Sequence, residues 1–164
     1  MPALLSPRHV ALIARGVSAV VGSRDLAHRP SLMRAVAGVI TPDGATVTVY
    51  LARSQSRQLL ADIASTGRIA VVFSSPSTHE TLQLKATRAR LRDAGEADAA
   101  ALAAYRAAMV AELGAIDIPP EFAAAMLACD RDDVVAVSFE PEAAFDQTPG
   151  PKAGAAIGPA GAPT

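Results

Sequence analysis

The sequence predicts a mainly β protein with peripheral helices, in which about six antiparallel strands form one small domain. Two observations favour this fold class. Residues 32–40 and 46–51 alternate in side-chain type on either side of a Thr-Pro-Asp-Gly tetrapeptide that suits a type I turn, a pattern typical of a β-hairpin. Short loops join several of the other predicted strands, which favours antiparallel pairing. Closing these strands into a barrel would leave no sheet edge exposed.

Three further elements flank the hairpin in the first half of the chain. They are a helix over residues 6–14, a strand over residues 17–21 and a helix over residues 54–65. Ser6 can cap the first helix with its hydroxyl, and Pro7 suits the first helical position. Gly67 ends the second helix, because glycine readily adopts the left-handed conformation that follows a last turn.

The second half of the chain returns to strands around one helical segment. The predicted strands cover residues 69–73, 81–91 and 134–139. Residues 95–129 form a helical excursion, in which apolar side chains recur at helical spacing. The long strand over residues 81–91 has one polar face, which in a barrel can line a site or an interface.

We expect a single domain over residues 1–147, followed by a tail over residues 148–164. The tail consists almost entirely of Pro, Gly and Ala, so we expect most of it to be irregular. The chain as a whole is rich in alanine and has no Trp. Because such a composition offers little large apolar surface per residue, it favours burial of further surface by oligomerisation.

Charge and composition argue against several classes of protein. The formal net charge is −1 without a block of like charges, so we expect no nucleic-acid and no membrane partner. The longest apolar stretches are too short to span a bilayer, and the N-terminus has no signal-peptide pattern. The single cysteine, Cys129, excludes an internal disulfide and suits a reducing compartment, so we expect a cytoplasmic protein. His9, His28 and His79 lack metal-ligand spacing, so we expect no metal site.

The first candidate site lies where the hairpin ends and the next helix begins, over residues 50–58. Free backbone N–H groups at a helix N-terminus attract phosphate. Ser54 and Ser56 add hydroxyl donors, and Arg53 and Arg57 add planar cationic groups that match phosphate oxygens. The same residues also fit a capped surface helix with two solvated arginines, and the residues alone leave both interpretations open.

The second candidate site is the polar face of the long strand. Gln83 and Lys85 occupy alternate positions, so an amide and an ammonium group stand side by side. Together they could bind the polar edge of a ring or a phosphate. A solvated sheet face is the alternative interpretation.

Five blocks of sequence, taken in order, point to a known family. They are RPSLMRAVAG (29–38), VTVYL (47–51), SRQLL (56–60), GRIAVVF (67–73) and TLQLK (81–85). Their order and spacing resemble those of pyridoxamine 5'-phosphate oxidase-like flavoproteins. The closing FDQTPGPKAG (145–154) is similar to the end of one short subgroup of that family. The resemblance covers about residues 15–154.

The resemblance implies a split β-barrel homodimer that holds FMN between its subunits. Ser56 and Arg57 match the Ser-Arg pair with which the family binds phosphate, and the hairpin strands face the isoalloxazine ring. The implied cofactor-binding residues are Arg34, Tyr50, Leu51, Ala52, Arg53, Ser56, Arg57, Gln58, Gln83 and Lys85, the last two from the same chain or from its partner. Ala86 follows Lys85 where the family usually has Gly, which weakens the match there.

The function implied is that of an FMN-dependent oxidoreductase with a small substrate, in which the cofactor supplies the redox chemistry. Two alternatives stay open: a non-catalytic flavin carrier or redox-responsive protein, and the same barrel with a deazaflavin or haem-type ligand. Efficient pyridoxamine 5'-phosphate oxidase activity is not expected. Enzymes of that group carry a C-terminal segment rich in Trp, Arg and His, whereas here the last His is His79 and Lys152 is the only Lys or Arg after Arg131.

Overall fold

The computed structural model describes residues 4–158, which form two antiparallel sheets and four α-helices. The six-stranded sheet contains, in spatial order, β10 (Ala155–Ile157), β9 (Ala143–Asp146), β6 (Thr81–Ala86), β5 (Ile69–Ser74), β1 (Ser18–Arg24) and β2 (Pro30–Arg34). The four-stranded sheet contains β3 (Ala37–Ile40), β4 (Val47–Ala52), β8 (Val134–Phe139) and β7 (Arg90–Asp93). The helices are α1 (Pro7–Ala14), α2 (Arg57–Thr66), α3 (Ala99–Gly114) and α4 (Pro120–Met126). The predicted fold class, mainly β with peripheral helices, is confirmed, although the described residues form ten strands in place of the expected six or so.

The predictions that rest on local sequence signals are confirmed. β3 and β4 form the hairpin, and the backbone N–H of Gly44 closes its turn by donating to the Thr41 carbonyl at 2.8 Å. The Ser6 hydroxyl caps α1 by accepting from the backbone N–H of His9. Gly67 ends α2 with a φ of +67°, in the left-handed region that glycine tolerates.

The predicted strand over residues 32–40 is wrong as a single strand, because the chain changes sheets in its middle. The backbone N–H of Ala35 donates to Ala19 of the six-stranded sheet at 2.9 Å. The next N–H, that of Val36, donates to Tyr50 of the four-stranded sheet at 2.8 Å. Apolar residues continue through this corner without Gly or Pro, so the sequence carries no signal of the break.

The predicted strand over residues 81–91 divides in the same way into β6 and β7, which lie in different sheets. The corner packs on Gly67, whose carbonyl accepts from the Ala89 N–H at 2.9 Å. A Cβ atom at position 67 would lie 2.6 Å from the Thr87 carbonyl oxygen, so only glycine fits there. Each divided segment therefore contributes one strand to each sheet. The two segments connect the sheets at their corners, and the sheets together form a split barrel.

The predicted helix over residues 54–65 starts later than expected. A 3-10 turn over Arg53–Gln55 comes first, and Ser56 separates it from α2 with φ −120° and ψ 21°. The serines and the glutamine in this stretch fit a turn as well as a first helical turn, so composition alone does not fix the start.

Two apolar cores hold the elements together. The first lies between the inner faces of the two sheets and is filled by residues such as Val21, Leu51, Phe73, Leu84 and Val137. The second lies between the outer face of the four-stranded sheet and the helical excursion, which the structure confirms as α3 and α4. Its members are Val36, Ala37, Tyr50, Ala52, Tyr105, Met109, Leu113, Ala123, Leu127, Val134 and Ala136.

Within the described part of the tail, residues 148–158, only Ala155–Ile157 form a strand, β10, which the sequence did not predict, and the residues before it lie in turns and bends. Gly150 and Gly154 have positive φ values of 148° and 86°, and they turn the chain back so that β10 pairs with β9. The Gly154 N–H closes this return by donating to the Asp146 carbonyl at 2.7 Å. Residues 159–164 lie outside the described part of the chain. Over residues 4–158, none of the helices combines the length and apolarity needed to cross a membrane.

Candidate functional site

The first turn of α2 carries an unsatisfied polar group. Ser56 occupies the N-cap position, but its side chain makes no capping hydrogen bond. Its Oγ atom is buried and has no hydrogen-bond partner among residues 4–158. Leaving a buried hydroxyl unpaired costs about 1–3 kcal/mol, so such an atom calls for an explanation. The helix start therefore has both free N–H groups and a spare hydroxyl.

Arg57 and Gln58 follow Ser56, and they differ in whether another side chain of the described residues binds them. Arg57 is exposed, and within the described residues its guanidinium forms no ion pair or side-chain hydrogen bond. The amide of Gln58 donates to Asp62 Oδ1 at 2.8 Å. Asp62 is buried and also accepts from the hydroxyl of Ser31 in β2 at 2.5 Å. Gln58 thus helps to fasten α2 to the six-stranded sheet, whereas Arg57 is free to meet a ligand.

Two carboxylates hold the turn before Ser56. The guanidinium of Arg53 pairs with Asp93 at the end of β7. The backbone N–H of Ser54 donates to Asp133 Oδ1 at 3.0 Å, and its hydroxyl donates to Asp133 Oδ2. Neither aspartate was singled out from the sequence, because each lies at least 40 residues away along the chain.

Tyr50 is part of a polar cluster under the helical excursion, in which Tyr50 and Asp98 are buried and Arg92 is about half exposed. Its hydroxyl donates to Asp98 Oδ1 at 2.8 Å, while Arg92 binds both Asp98 oxygens at 2.7 Å. Burial, together with the Asp98 carboxylate, raises the pKa of Tyr50 to about 12. Hydrogen bonds from Arg92 hold the pKa of Asp98 well below its usual range. The cluster therefore keeps a neutral phenol against a charged carboxylate.

Leu51 and Ala52 also have buried side chains, so only their backbone could reach a ligand. β8 pairs with β4 as far as Ala52, whereas β3 pairs with it only as far as Tyr50. Within residues 4–158, the edge of β4 beyond Tyr50 on the side of β3 therefore has no strand beside it. Backbone groups alternate along a strand and those of Tyr50 point to β3, so those of Ala52 face this open edge, whereas those of Leu51 face β8. This edge leads directly into the turn and the start of α2.

The other three predicted residues lie on the outer face of the six-stranded sheet. Arg34 donates to the Ser18 hydroxyl at 2.5 Å. The Gln83 carbonyl oxygen accepts from Gln147 at 3.2 Å, and Lys85 Nζ lies 4.8 Å from the centroid of the Phe145 ring. Ladder pairing places these side chains in adjacent rows of one face.

That outer face has no helix over it in the part of the chain that the structure describes. It contains an open groove of about 580 Å³, with small residues such as Gly22 and Ala70 between Leu32 and Lys85. Ser31 points inward to α2, so its neighbour Leu32 and the alternate Arg34 point away from α2. One chain therefore does not bring Gln83 and Lys85 together with Ser56 and Arg57.

The remaining candidates from the sequence have ordinary environments. His9 completes the capping box of α1. Cys129 is a half-buried free thiol, and burial raises its pKa. No group of three His, Cys, Asp or Glu side chains among residues 4–158 is arranged to hold a metal ion.

Comparison with known proteins establishes the fold. Neither a protein-family model nor a curated protein matches the sequence. HupZ of Group A Streptococcus superposes with a TM-score of 0.56 at 17 % identity, over 92 % of this chain and 99 % of that one. A candidate pyridoxamine 5'-phosphate oxidase of Lactobacillus delbrueckii gives 0.54 at 13 % identity, over 88 % and 99 %. HutZ, the heme storage protein from Vibrio cholerae, gives 0.50 at 14 %, over 87 % and 94 %.

Proposed function

We propose that this chain, which has the split-barrel fold of pyridoxamine 5'-phosphate oxidase-like proteins, binds FMN and acts as a flavin-dependent oxidoreductase on a small substrate. The observation that carries the proposal is the start of α2. There a buried Ser56 hydroxyl, which has no partner among residues 4–158, stands beside the exposed Arg57, at a helix N-terminus that no side chain of these residues caps. Unused donors of this kind match the oxygens of a phosphate monoester.

Each part of the site has a separate task in this proposal. The N–H groups at the start of α2, the Ser56 hydroxyl and the Arg57 guanidinium bind the phosphate. Arg53 and Ser54 are already paired with Asp93 and Asp133, so they shape the turn instead of binding the anion. The free backbone edge of β4 at Ala52 offers hydrogen bonds to the ring system. FMN, when bound, supplies the electron-transfer chemistry.

We also propose that the protein is a homodimer with FMN between its subunits. The outer face of the six-stranded sheet bears Leu32, which is 69 % exposed, together with Arg34, Gln83 and Lys85. These side chains face away from α2, so a second copy is needed to bring such a set to the cofactor. Light scattering at micromolar concentration should give the mass of two chains, and the mass of one chain would refute this part of the proposal. The single free thiol of Cys129 fits a cytoplasmic location.

Titration with FMN is the direct test of the proposed cofactor. The purified chain should quench or shift flavin fluorescence with a saturable, one-to-one stoichiometry per subunit. Mass spectrometry of any ligand released from the protein as isolated distinguishes FMN from a deazaflavin or a haem-type ligand. A colourless protein that leaves flavin fluorescence unchanged would rule the proposal out.

Turnover decides between an enzyme and a flavin carrier. An oxidoreductase should transfer electrons from an added donor such as NADPH to bound FMN, and the loss of the visible absorbance of the oxidised flavin measures this transfer. With pyridoxine 5'-phosphate and oxygen we expect no efficient turnover. Formation of pyridoxal 5'-phosphate at about 1 per second or faster, the lower edge of ordinary enzyme rates, would overturn that expectation.

A further inference from the structure

Asp133 binds the turn that leads into the proposed phosphate site. It immediately precedes β8, whose first residue, Val134, pairs with Ala52 at the end of β4. This ladder sets the Asp133 carboxylate opposite the turn over Arg53–Gln55. Its two oxygens accept from the backbone N–H of Ser54 at 3.0 Å and from the Ser54 hydroxyl.

The turn has no cap from its own neighbourhood. Ala52 occupies its N-cap position and provides no side-chain hydrogen bond. The first N–H groups of a helical turn lack internal acceptors, so an acceptor from elsewhere has to satisfy them. Asp133, 79 residues further along the chain, meets this need for Ser54. Ser56 lies two residues beyond Ser54. By holding Ser54, the carboxylate therefore restricts the positions that Ser56 and Arg57 can take.

We infer that Asp133 is a positioning residue that keeps Ser56 and Arg57 arranged to receive the phosphate of FMN. This inference rests on the proposed function and adds a residue that acts without touching the cofactor. It also places a carboxylate next to an anion site, which is unfavourable by charge alone because like charges repel. The favourable effect of holding the turn has to exceed that repulsion.

The two effects predict changes of opposite sign when the charge is removed. A phosphate monoester carries a charge of about −1.5 to −2 at neutral pH. If only the charge of Asp133 mattered, the variant Asp133→Asn would bind FMN more tightly. If Asp133 holds the turn, the same variant binds FMN more weakly, because an amide has one acceptor oxygen in place of two.

The experiment measures dissociation constants of the full chain for FMN and for riboflavin, which lacks the phosphate. Asp133→Asn should raise the constant for FMN about tenfold, the effect of one charge-assisted hydrogen bond, and leave that for riboflavin unchanged. Asp132→Asn is the matched control: it removes the same charge at an adjacent exposed position that makes no side-chain hydrogen bond within residues 4–158. This control should bind FMN as the wild type does, or slightly more tightly.

Ser54→Ala provides an independent measurement that does not alter the charge. It removes the hydroxyl half of the contact and should produce the same loss, specific to FMN. Combined with Asp133→Asn, its effect should be less than additive, because both variants remove one shared contact. If Asp133→Asn does not fold, the Ser54→Ala result decides the question.

Three outcomes would overturn the inference. FMN binding that is unchanged or tighter in both Asp133→Asn and Ser54→Ala would show that the contact between Asp133 and Ser54 does not hold the site. The first variant alone does not decide this, because an Asn amide can donate to the Ser54 hydroxyl through its NH2 group. Equal losses for FMN and riboflavin would show a general structural effect in place of phosphate positioning. Failure of the wild-type chain to bind FMN would remove the proposed function itself, an outcome distinct from the other two.

Discussion

The two sheets differ in what covers their outer faces. On the four-stranded sheet, α3 and α4 bury the outward side chains of Tyr50, Ala52 and Ala136 completely or nearly so. On the six-stranded sheet, the described chain places no helix over the outer face, which keeps an open groove of about 580 Å³. Both sheets share the same inner core.

The covered face of the four-stranded sheet stabilises the single chain, whereas the bare face of the six-stranded sheet stays accessible to other molecules. The helical excursion occupies 35 residues in the prediction, over 95–129, and its main physical effect is to cover one sheet face. The bare face is the surface that we propose a second copy of the chain to cover. Four measurements can contradict or refine this comparison, and they follow from the largest expected effect to the smallest.

Met109→Ala should produce the largest loss of stability. Met109 is 1 % exposed in the core between α3 and the four-stranded sheet. Truncating a buried Met to Ala costs about 2–5 kcal/mol, because apolar contacts are lost and a cavity remains. Chemical denaturation followed by circular dichroism measures the change in the free energy of unfolding. A loss below about 1 kcal/mol would mean that the covering helices contribute little to the stability of the sheet.

Asp98→Asn should remove a part of the dependence of stability on pH. The pKa of Asp98 is depressed in the folded state by hydrogen bonds from Arg92, so the folded protein binds the proton less readily than the unfolded chain. Its contribution is complete above the unfolded pKa of about 3.9 and is lost as the pH falls further. The free-energy difference between wild type and variant should therefore shrink as the pH is lowered from 6 to about 3. A difference that stays constant over this range would contradict the assigned role.

Arg57→Ala should weaken FMN binding without changing the fold. A hydrogen bond to a charged group contributes about 1.5–3 kcal/mol, which corresponds to an increase of about tenfold or more in the dissociation constant. Arg8→Ala is the control, because Arg8 is an exposed arginine of α1 that pairs with Glu80. Fluorescence titration of both variants compares the two effects. Equal dissociation constants would exclude Arg57 from the phosphate site.

Leu32→Glu should have the smallest effect on the stability of the fold and a clear effect on association. Leu32 is 69 % exposed on the bare face, so a charge there should change the free energy of monomer unfolding by about 0.5 kcal/mol or less. In an interface the same charge would lose its hydration, which neighbouring cations such as Lys85 offset only in part, so light scattering should show dissociation to single chains. Leu26→Glu, at a position 79 % exposed outside the sheet, should leave the mass unchanged. If Leu32→Glu keeps the mass of two chains, as Leu26→Glu should, the bare face is not the interface.

Local signals in the sequence predicted the elements that depend on neighbouring residues. The turn before β4, the Ser6 cap and the Gly67 stop each involve residues a few positions apart, so their physical cause is visible in the sequence. The split of residues 32–40 between two sheets was missed, because it depends on which distant strands supply acceptors to Ala35 and Val36. Alternation fixes the face of a side chain but not the sheet to which its strand belongs.

The site was predictable only in part, for the same reason. The family resemblance drew attention to Ser56 and Arg57, and the structure adds why they are available. The pairing of Arg53 and Ser54 with Asp93 and Asp133 spans 40 and 79 residues and has no signature in the sequence. A list of donors read from the sequence therefore overestimates how many are free for a ligand.

The short strand β10 has a consequence for the behaviour of the protein at high concentration. It forms one edge of the six-stranded sheet with only three residues, Ala155–Ile157, and it covers β9 from outside. Exposed sheet edges invite pairing with the edges of other molecules, and a very short edge strand offers few unpaired N–H and C=O groups for this. The return of the chain after Gly154 thus gives the sheet an edge that resists aggregation.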